Sequence, residues 1–508
     1  MDDRAAVELL PEIDGGSLNA DEARRRALYA AFAAGDARFD GQVFVGVSST
    51  GVYCRSVCSA RMPKFENCTF YRTPAEAEEA GFRPCMICRP EVAPCHAPVD
   101  AQASLARRAA DLLRVECAAG DGLPRLAARL GYTDRHLRRA FEREFHVTPA
   151  QYVRTCRLLL AKSLLTDSRL PVAQVARAAG FGSVRRFNQV FREQYRMTPT
   201  DLRKRRRAPA SEGEGITVRL GYRAPYRFDL LLRFFAMRQL EGVELVDGSS
   251  YARTARIPLP DGGEARGWVR VSDDPQRHSL VVTMSDTLIE CVPQVCARIR
   301  RQFDLDSDPQ AIYEGIRSLD EVVPGAAVAG TRVPGCFDSF ETACRAVLGQ
   351  QVTVVAANRF AGRIAATYGA PIDNGVEGLS LAFPSPAEVL ALDDVEEAFG
   401  VLGVIRSRSR TIVELARLIE AGEVTLGAGA VVEDEMRRLL AVRGIGPWSA
   451  NYLAMRTLCH PDAFMETDAG VAHALPDLSP RERAALAERW RPWRSYVNVC
   501  LWNSLSGD

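Results

Sequence analysis

The chain has 508 residues, of which 47% are hydrophobic and 25% charged, with a net charge of +1. That is enough for several domains of ordinary globular composition, and no apolar run is long enough to span a bilayer. Fourteen cysteines scattered over this length do not form a small disulfide scaffold. With an acidic amino terminus, MDDRAAVELLPEIDGG, that lacks an apolar signal core, the expected compartment is the cytoplasm, where clustered cysteines mean metal or reactive thiol.

The small net charge conceals an asymmetry. Residues 104–208 hold 23 Lys or Arg against 9 Asp or Glu, a local charge of +14, so the rest of the chain carries −13. A block this basic among amphipathic helices is the footprint of a nucleic-acid surface.

Residues 1–20 read as an extension. A helix is predicted from Asp21, with Ala27, Leu28, Ala31 and Phe32 close to one face. Val43, Val45 and Val47 then alternate with Gln42, Phe44 and Gly46, and Gly51 turns a hairpin that delivers Cys54. Cys54 and Cys58 precede Cys85 and Cys88 by 26 residues, a CxxxC…CxxC arrangement that supplies four thiolates to one tetrahedral Zn²⁺. STGVYCRSVCSAR, ENCTFY and AGFRPCMIC around these ligands resemble the amino-terminal domain of the Ada adaptive-response regulators. That resemblance implies repair of methylphosphotriesters in DNA, with Cys54 as both zinc ligand and methyl acceptor, in a single turnover. Zinc keeps a thiolate deprotonated for SN2 attack, and a thioether ligand is neutral, so methylation takes the four-cysteine site from −2 to −1. Arg61 and Arg83 fall where an arginine could face phosphate, or equally be plain surface. Pro94-Cys95-His96 lies in linker-like sequence, and Cys95 is read as a linker cysteine.

Residues 104–208 repeat internally at an offset of about 50: LAARLGYTDRHLRRAFEREFHVTPAQY parallels VARAAGFGSVRRFNQVFREQYRMTPTDL. Each copy has a short helix, a glycine (Gly131, Gly180), and a second helix with apolar residues at helical spacing. These are two helix-turn-helix units, and they resemble the AraC-type DNA-binding domain. Arg135, His136 and Arg139 in the first, and Arg185, Asn188 and Gln189 in the second, are the expected major-groove side chains. A basic linker, RKRRRAPASEGEG, follows.

From Ile216 strands appear: ITVRLGY, GWVRVSDD and HSLVVTMSD, with PYRFDLLLRFFAMR leading into a helix. No chemistry is assigned to this α+β segment. From about Pro293 the pattern is helical. Gly444-Ile445-Gly446 sits between two helical patterns, and Pro447 suits the first position of the second helix, with Trp448, Tyr452 and Met455 on one face. A hairpin of this kind grips a DNA backbone through unpaired helix N–H groups without reading sequence. Asp468 follows 22 residues after Gly446, where the helical pattern lapses.

This combination, together with AVLGQQV (Ala346–Val352) and AERWRPWRSY (Ala487–Tyr496), resembles the helix–hairpin–helix DNA glycosylases of the AlkA, 3-methyladenine glycosylase II, type. The resemblance implies a flipped alkylated base, a pocket with Gln350, Gln351, Trp448, Tyr452 and Trp493, and Asp468 as the carboxylate stabilising the sugar cation, with Gly444 and Gly446 on the DNA backbone. Trp448 stands where bifunctional relatives place a catalytic lysine, so a monofunctional enzyme is expected. With only Cys459 and Cys500 near the carboxyl terminus, no iron–sulfur cluster is expected.

The expected architecture is multidomain and mainly α with α+β parts. Its segments are 1–20 extension, 21–98 zinc α/β domain, 99–208 all-α double helix-turn-helix, 209–215 linker, 216–292 α+β subdomain and 293–508 all-α helix–hairpin–helix domain. The expected partners are alkylated and promoter double-stranded DNA, with RNA polymerase as a further candidate, no membrane, a monomeric state and a nucleoid location. The alternative function is a methylation-sensing transcription factor whose glycosylase half only binds DNA.

Overall fold

The computed structural model describes residues 18–94, 105–115, 123–205, 215–259, 262–373 and 375–505. Residues 1–17 of the extension, Cys95 and most of the basic linker lie outside them. The chain divides into two compact units, Met1–Arg223 with Asp274–Ala297, and Ala224–Asp273 with Arg298–Asp508. Among the described residues no helix is long and apolar enough to cross a membrane.

The first unit opens with the helix Glu22–Ala33, capped by the Asp21 side chain on the Ala23 N–H, which buries Leu28 and Phe32. A four-stranded sheet follows. Phe44–Val47 lies between Val52–Arg55 and Cys68–Tyr71, and Arg83–Pro84 pairs parallel to the second of these strands. Gly51 takes φ +66° to turn the hairpin.

The repeat appears as two structurally matched halves. Helices Leu123–Arg129 and Asp134–Phe145 correspond to Val172–Ala178 and Val184–Tyr195. The turns use Gly131 at φ +79° and Gly180 at +76°. Thr133 and Ser183 cap the second helix of each half, which buries Leu137, Phe141 and Phe145 in one and Phe187, Phe191 and Tyr195 in the other. Pro149 and Pro199 open the next helices behind capping boxes at Thr148 and Thr198.

Zinc lobe and helix-turn-helix pair meet through buried polar groups rather than a loose tether. Glu78, on the helix Pro74–Glu79, accepts hydrogen bonds from Thr155 Oγ1 at 2.9 Å, Tyr53 Oη at 3.2 Å and Tyr195 Oη at 3.5 Å. Arg89, next to ligand Cys88, pairs with Asp167 at 2.6 Å, and Lys162 with Glu91. Burial pushes the Glu78 carboxyl up to about 8, against the pull of the three hydroxyls. Between its unfolded value of 4.5 and about 8, the folded state holds a proton that the unfolded chain has lost. Stability therefore falls as pH rises through that window, by at most about 1.4 kcal/mol per pH unit. Glu78→Gln, uncharged throughout, should flatten this slope and melt higher than wild type at pH 8. Thermal unfolding at pH 5 and pH 8 checks this, and an unchanged slope would place the titration elsewhere.

In the second unit, strands Glu244–Val246, Ser250–Pro258 and Glu264–Asp274 form an antiparallel meander, beside the helix Phe228–Ala236. The first two of these strands are additional to those expected. The helical part is organised on a core that includes Phe340, Val347, Phe399, Ile412, Leu415, Leu439 and Leu453. Into that core pack the helices Ser339–Leu348, Arg406–Glu420, Val432–Ala441 and Pro447–Thr457.

Candidate active site and metal centre

The helix Val432–Ala441 ends at Ala441, the chain turns through Val442–Gly446, and Pro447 opens the next helix. Gly444 adopts φ +96°, and a Cβ there would meet Thr411 Oγ1 at 2.2 Å, so glycine is required on both counts. Gly446 is open: a Cβ there meets nothing within 4 Å. Gln350, just past the helix Ser339–Leu348, donates from Nε2 to the Gly444 carbonyl at 2.8 Å and to Ser449 Oγ at 2.9 Å, tying the pocket helix to the hairpin. Gln351 is exposed and left-handed, at φ +55°.

A cleft of about 1340 Å³ opens beside the hairpin and is lined by Gln350, Gln351, Trp448, Tyr452 and Asp468. Trp448 and Tyr452, one helical turn apart, stack at 5.2 Å and 11°. Met455, expected on the same face, is instead fully buried in the core.

Asp468 is the N-cap of the short helix Ala469–Ala474. Its Oδ1 accepts from the Gly470 and Val471 N–H groups at 2.9 and 3.1 Å and from Trp502 Nε1 at 2.8 Å. Its Oδ2 accepts from Trp448 Nε1 at 3.0 Å. The cap and the carboxylate expected to act on the sugar are thus the same group. The cap fixes Oδ1, and Oδ2 keeps a lone pair for a reacting atom.

Trp493 requires correction. It is 9% exposed, does not line the cleft, and packs against Gly315 and edge-on to Tyr496 at 5.8 Å. The carboxyl-terminal tryptophan that lines the cleft, beside Trp448, is Trp502, on the helix Arg494–Ser504. The α+β segment, given no chemistry by its sequence, supplies Phe234, which stacks with Trp502 at 6.1 Å and 22°. Trp490 is fully buried core.

In the first unit, Cys54, Cys58, Cys85 and Cys88 place their sulfurs within 4.8 Å of one another. Zn–S bonds of about 2.3 Å put tetrahedral sulfurs about 3.8 Å apart, so the four free thiols fit one zinc ion with small closure. The hairpin carries Cys54, and the loop after Arg83–Pro84 carries the CxxC pair. The sulfurs are not equivalent. Arg55 N–H donates to Cys88 Sγ at 3.3 Å and Ile87 N–H to Cys85 Sγ at 3.4 Å, while the Ala60 backbone serves Cys58. No described backbone N–H reaches Cys54, which leaves it the most electron-rich of the four. It is also buried, at 8% exposure.

Arg61 is exposed and Arg83 half-buried. Arg135, His136 and Arg139, and Arg185, Asn188 and Gln189, are all exposed on helix faces opposite the buried aromatics. Tyr132 stacks on His136 at 5.2 Å.

A sulfur tetrad, two helix-turn-helix units and a hairpin-flanked aromatic cleft with a capped carboxylate define a DNA-directed repair and regulatory protein. Family models agree in chain order. They match the metal binding domain of Ada over 27–91, a helix-turn-helix domain over 126–205, the AlkA N-terminal domain over 217–338, and the HhH-GPD superfamily of base excision DNA repair proteins over 344–492. The chain is 37% identical over 488 residues to the probable bifunctional transcriptional activator/DNA repair enzyme AlkA of Mycobacterium tuberculosis, covering 94% of this chain and 96% of that one. It is 35% identical to DNA-3-methyladenine glycosylase 2 of Escherichia coli, over 56% of this chain and 95% of that protein. It is also 47% identical over 58 residues to the Escherichia coli activator/repair enzyme Ada, over 11% of this chain and 16% of that one. The chain belongs to the family of bifunctional AlkA proteins, in which an Ada-type zinc and helix-turn-helix half is joined to an AlkA-type glycosylase half.

Proposed function

We propose that the second unit hydrolyses the N-glycosidic bond of alkylated bases such as 3-methyladenine, with Asp468 as its carboxylate and Gln350, Gln351, Trp448, Tyr452 and Trp502 around the flipped nucleotide. The hairpin at Gly444 and Gly446 holds the DNA backbone, so the base can leave the stack without loss of the duplex. As the bond to the base breaks, positive charge develops on the sugar, and Asp468 Oδ2 faces it and orients the attacking water. The reading rests on Asp468, a carboxylate held by two indole N–H groups in an aromatic cleft.

In the first unit Cys54 accepts a methyl group from a methylphosphotriester. Its sulfur bonds the methyl carbon as the carbon–oxygen bond breaks and an ordinary phosphodiester leaves. Bound zinc supplies the charge that keeps the sulfur a thiolate at neutral pH. Arg61 and Arg83 hold the flanking phosphates, and the six exposed helix-turn-helix side chains read a promoter. The protein acts as a monomer in the cytoplasm, on the nucleoid, and engages RNA polymerase as an activator.

Base release tests the enzyme. Wild type incubated with methylated duplex DNA should liberate free 3-methyladenine, leaving abasic sites whose strands break only on heating in alkali. DNA binding with no released base would instead favour a methylation-sensing transcription factor.

A further inference from the structure

The zinc lobe exposes a set of apolar side chains that its core does not use. Val57 is 38% exposed, Met86 40% and Ile87 63%. All three stand between metal ligands, Val57 within Cys54–Cys58 and the other two within Cys85–Cys88. None belongs to the lobe's apolar clusters, built on residues such as Leu28, Phe32, Val45 and Phe70 in one and Phe44 and Tyr53 in the other. The four sulfurs lie within 4.8 Å of one another, so the two segments meet at the acceptor. Val57 adjoins Cys58, and the Ile87 N–H donates to Cys85 Sγ at 3.4 Å. Single exposed apolar residues are ordinary on a protein surface. Three on two short segments, five residues in one and four in the other, that converge on one reactive centre make a patch.

The cations nearby are arranged in complement to it. The two segments contain one cation, Arg55, and it is spent: buried, with Nε on Asp40 at 2.7 Å and Nη1 on the Cys88 carbonyl at 3.1 Å. Arg89, just past Cys88, is held by Glu91 at 2.9 Å and Asp167 at 2.6 Å. Arg61 and Arg83 lie outside both segments. A phosphodiester seated on the patch would lose water, gain no cation and face the negative charge of the thiolates. A methylphosphotriester has no charge to desolvate, and it presents an ester methyl and the C–H groups of its two sugars.

We propose that Val57, Met86 and Ile87 form an apolar rim that seats the neutral methylphosphotriester and its flanking deoxyriboses at the Cys54 sulfur, so that the lobe selects the lesion over ordinary backbone. This rests on the reading of Cys54 as methyl acceptor. The rim positions the donor and makes no bond. The sulfur bonds the methyl carbon, the electron pair of the broken carbon–oxygen bond stays on the phosphate, and a charged diester results. Arg61 and Arg83 serve the charged phosphates on either side, and the rim serves the one that has lost its charge.

Two donors separate docking from sulfur reactivity in the full-length, zinc-loaded protein. One is a duplex with a single methylphosphotriester, and the other is methyl iodide, which reaches sulfur without docking. The near-isosteric polar replacements Val57→Thr, Met86→Gln and Ile87→Thr, combined, should slow transfer from the duplex at least about tenfold, with S-methylation of Cys54 by methyl iodide within about twofold of wild type. Unmethylated duplex should also compete better against the lesion in this variant. Val57→Ile, Met86→Leu and Ile87→Val, combined and still apolar, should restore most of the rate. Equal slowing with both donors would overturn the proposal by placing the effect on the sulfur. Transfer from the duplex at the wild-type rate would overturn it too, and loss of reporter activation at that intact rate would make the patch a protein-docking face. In each of these cases methyl transfer by wild type leaves the acceptor reading standing. No methyl taken from the duplex by wild type would sink both.

Discussion

Asp468→Asn should cut base release by at least about a hundredfold while the protein still binds duplex DNA. Two effects act in the same direction. The variant removes the negative charge facing the sugar, where an oxocarbenium-like transition state places its positive charge. It also breaks the carboxylate's hydrogen-bond set. An asparagine oxygen can keep the Gly470, Val471 and Trp502 N–H groups on one side. Its NH₂ must then face the Trp448 Nε1–H, donor against donor, at a local cost of about 1–3 kcal/mol. Trp448→Phe separates the two contributions. It deletes the indole donor, keeps the carboxylate, and should cost far less than Asp468→Asn. DNA affinity is expected to persist because the phosphate contacts proposed above come from the hairpin backbone, not from the carboxylate. Base release and electrophoretic binding on the same methylated duplex give both readouts. Release by Asp468→Asn at the wild-type rate would remove the carboxylate from the mechanism.

The parts of this site that the sequence exposed share a property: their spacing is set by local geometry. The CxxxC…CxxC ligands, the GIG hairpin followed by Pro447, and the 50-residue repeat are all short-range patterns that a tetrahedral metal, a tight turn or a duplicated helix pair dictates. The cleft's second aromatic wall is different. Phe234 and Trp502 come from segments far apart in the chain, and each sits on a helix buried on most sides. Six of the nine residues of Phe228–Ala236 are buried, and in Arg494–Ser504 seven consecutive residues, Ser495–Leu501, are. In Arg494–Ser504 no amphipathic stripe marks which aromatic faces a cavity, and in Phe228–Ala236 the exposed Asp229, Arg233 and Ala236 mark the buried face without singling out Phe234 on it. Trp493, in the more recognisable WRPW run, therefore drew the assignment that belongs to Trp502. The strand Ser250–Pro258 escaped for a related reason. Its Arg253 is buried against Glu341 at 2.6 Å, so the apolar alternation that signals a strand is interrupted by a charge whose partner lies 88 residues away. The Glu78 junction is of the same kind: three hydroxyls from three elements converge on one carboxylate, and only the fold brings them together.

Cys54→Ser should abolish methyl acceptance outright, with the wild type taking one methyl per chain. A serine hydroxyl is a poor nucleophile at neutral pH and cannot stand in for a zinc-held thiolate. The sharper test is which cysteine carries the methyl in wild type. Cys58 and Cys88 are both more exposed than Cys54, so access alone would favour them. Hydrogen bonding favours the opposite order, because backbone N–H groups draw electron density from Cys58, Cys85 and Cys88 but not from Cys54. Electron density should prevail, since approach to a sulfur can be gained by small movements of DNA while nucleophilicity cannot. Digestion of protein treated with methylphosphotriester DNA, followed by mass spectrometry, should find S-methylcysteine at Cys54 alone. A methyl on Cys58 or Cys88 would reverse the ranking. Removing the metal with a chelator provides the complementary result. Four sulfurs within 4.8 Å become repelling thiolates or take up protons, and the link between the hairpin and the Cys85–Cys88 loop is lost. Methyl acceptance should disappear and return on adding Zn²⁺. Base release in the same sample should continue, because no residue of the cleft belongs to the zinc lobe. Loss of both activities together would show that the metal supports the whole chain rather than one lobe.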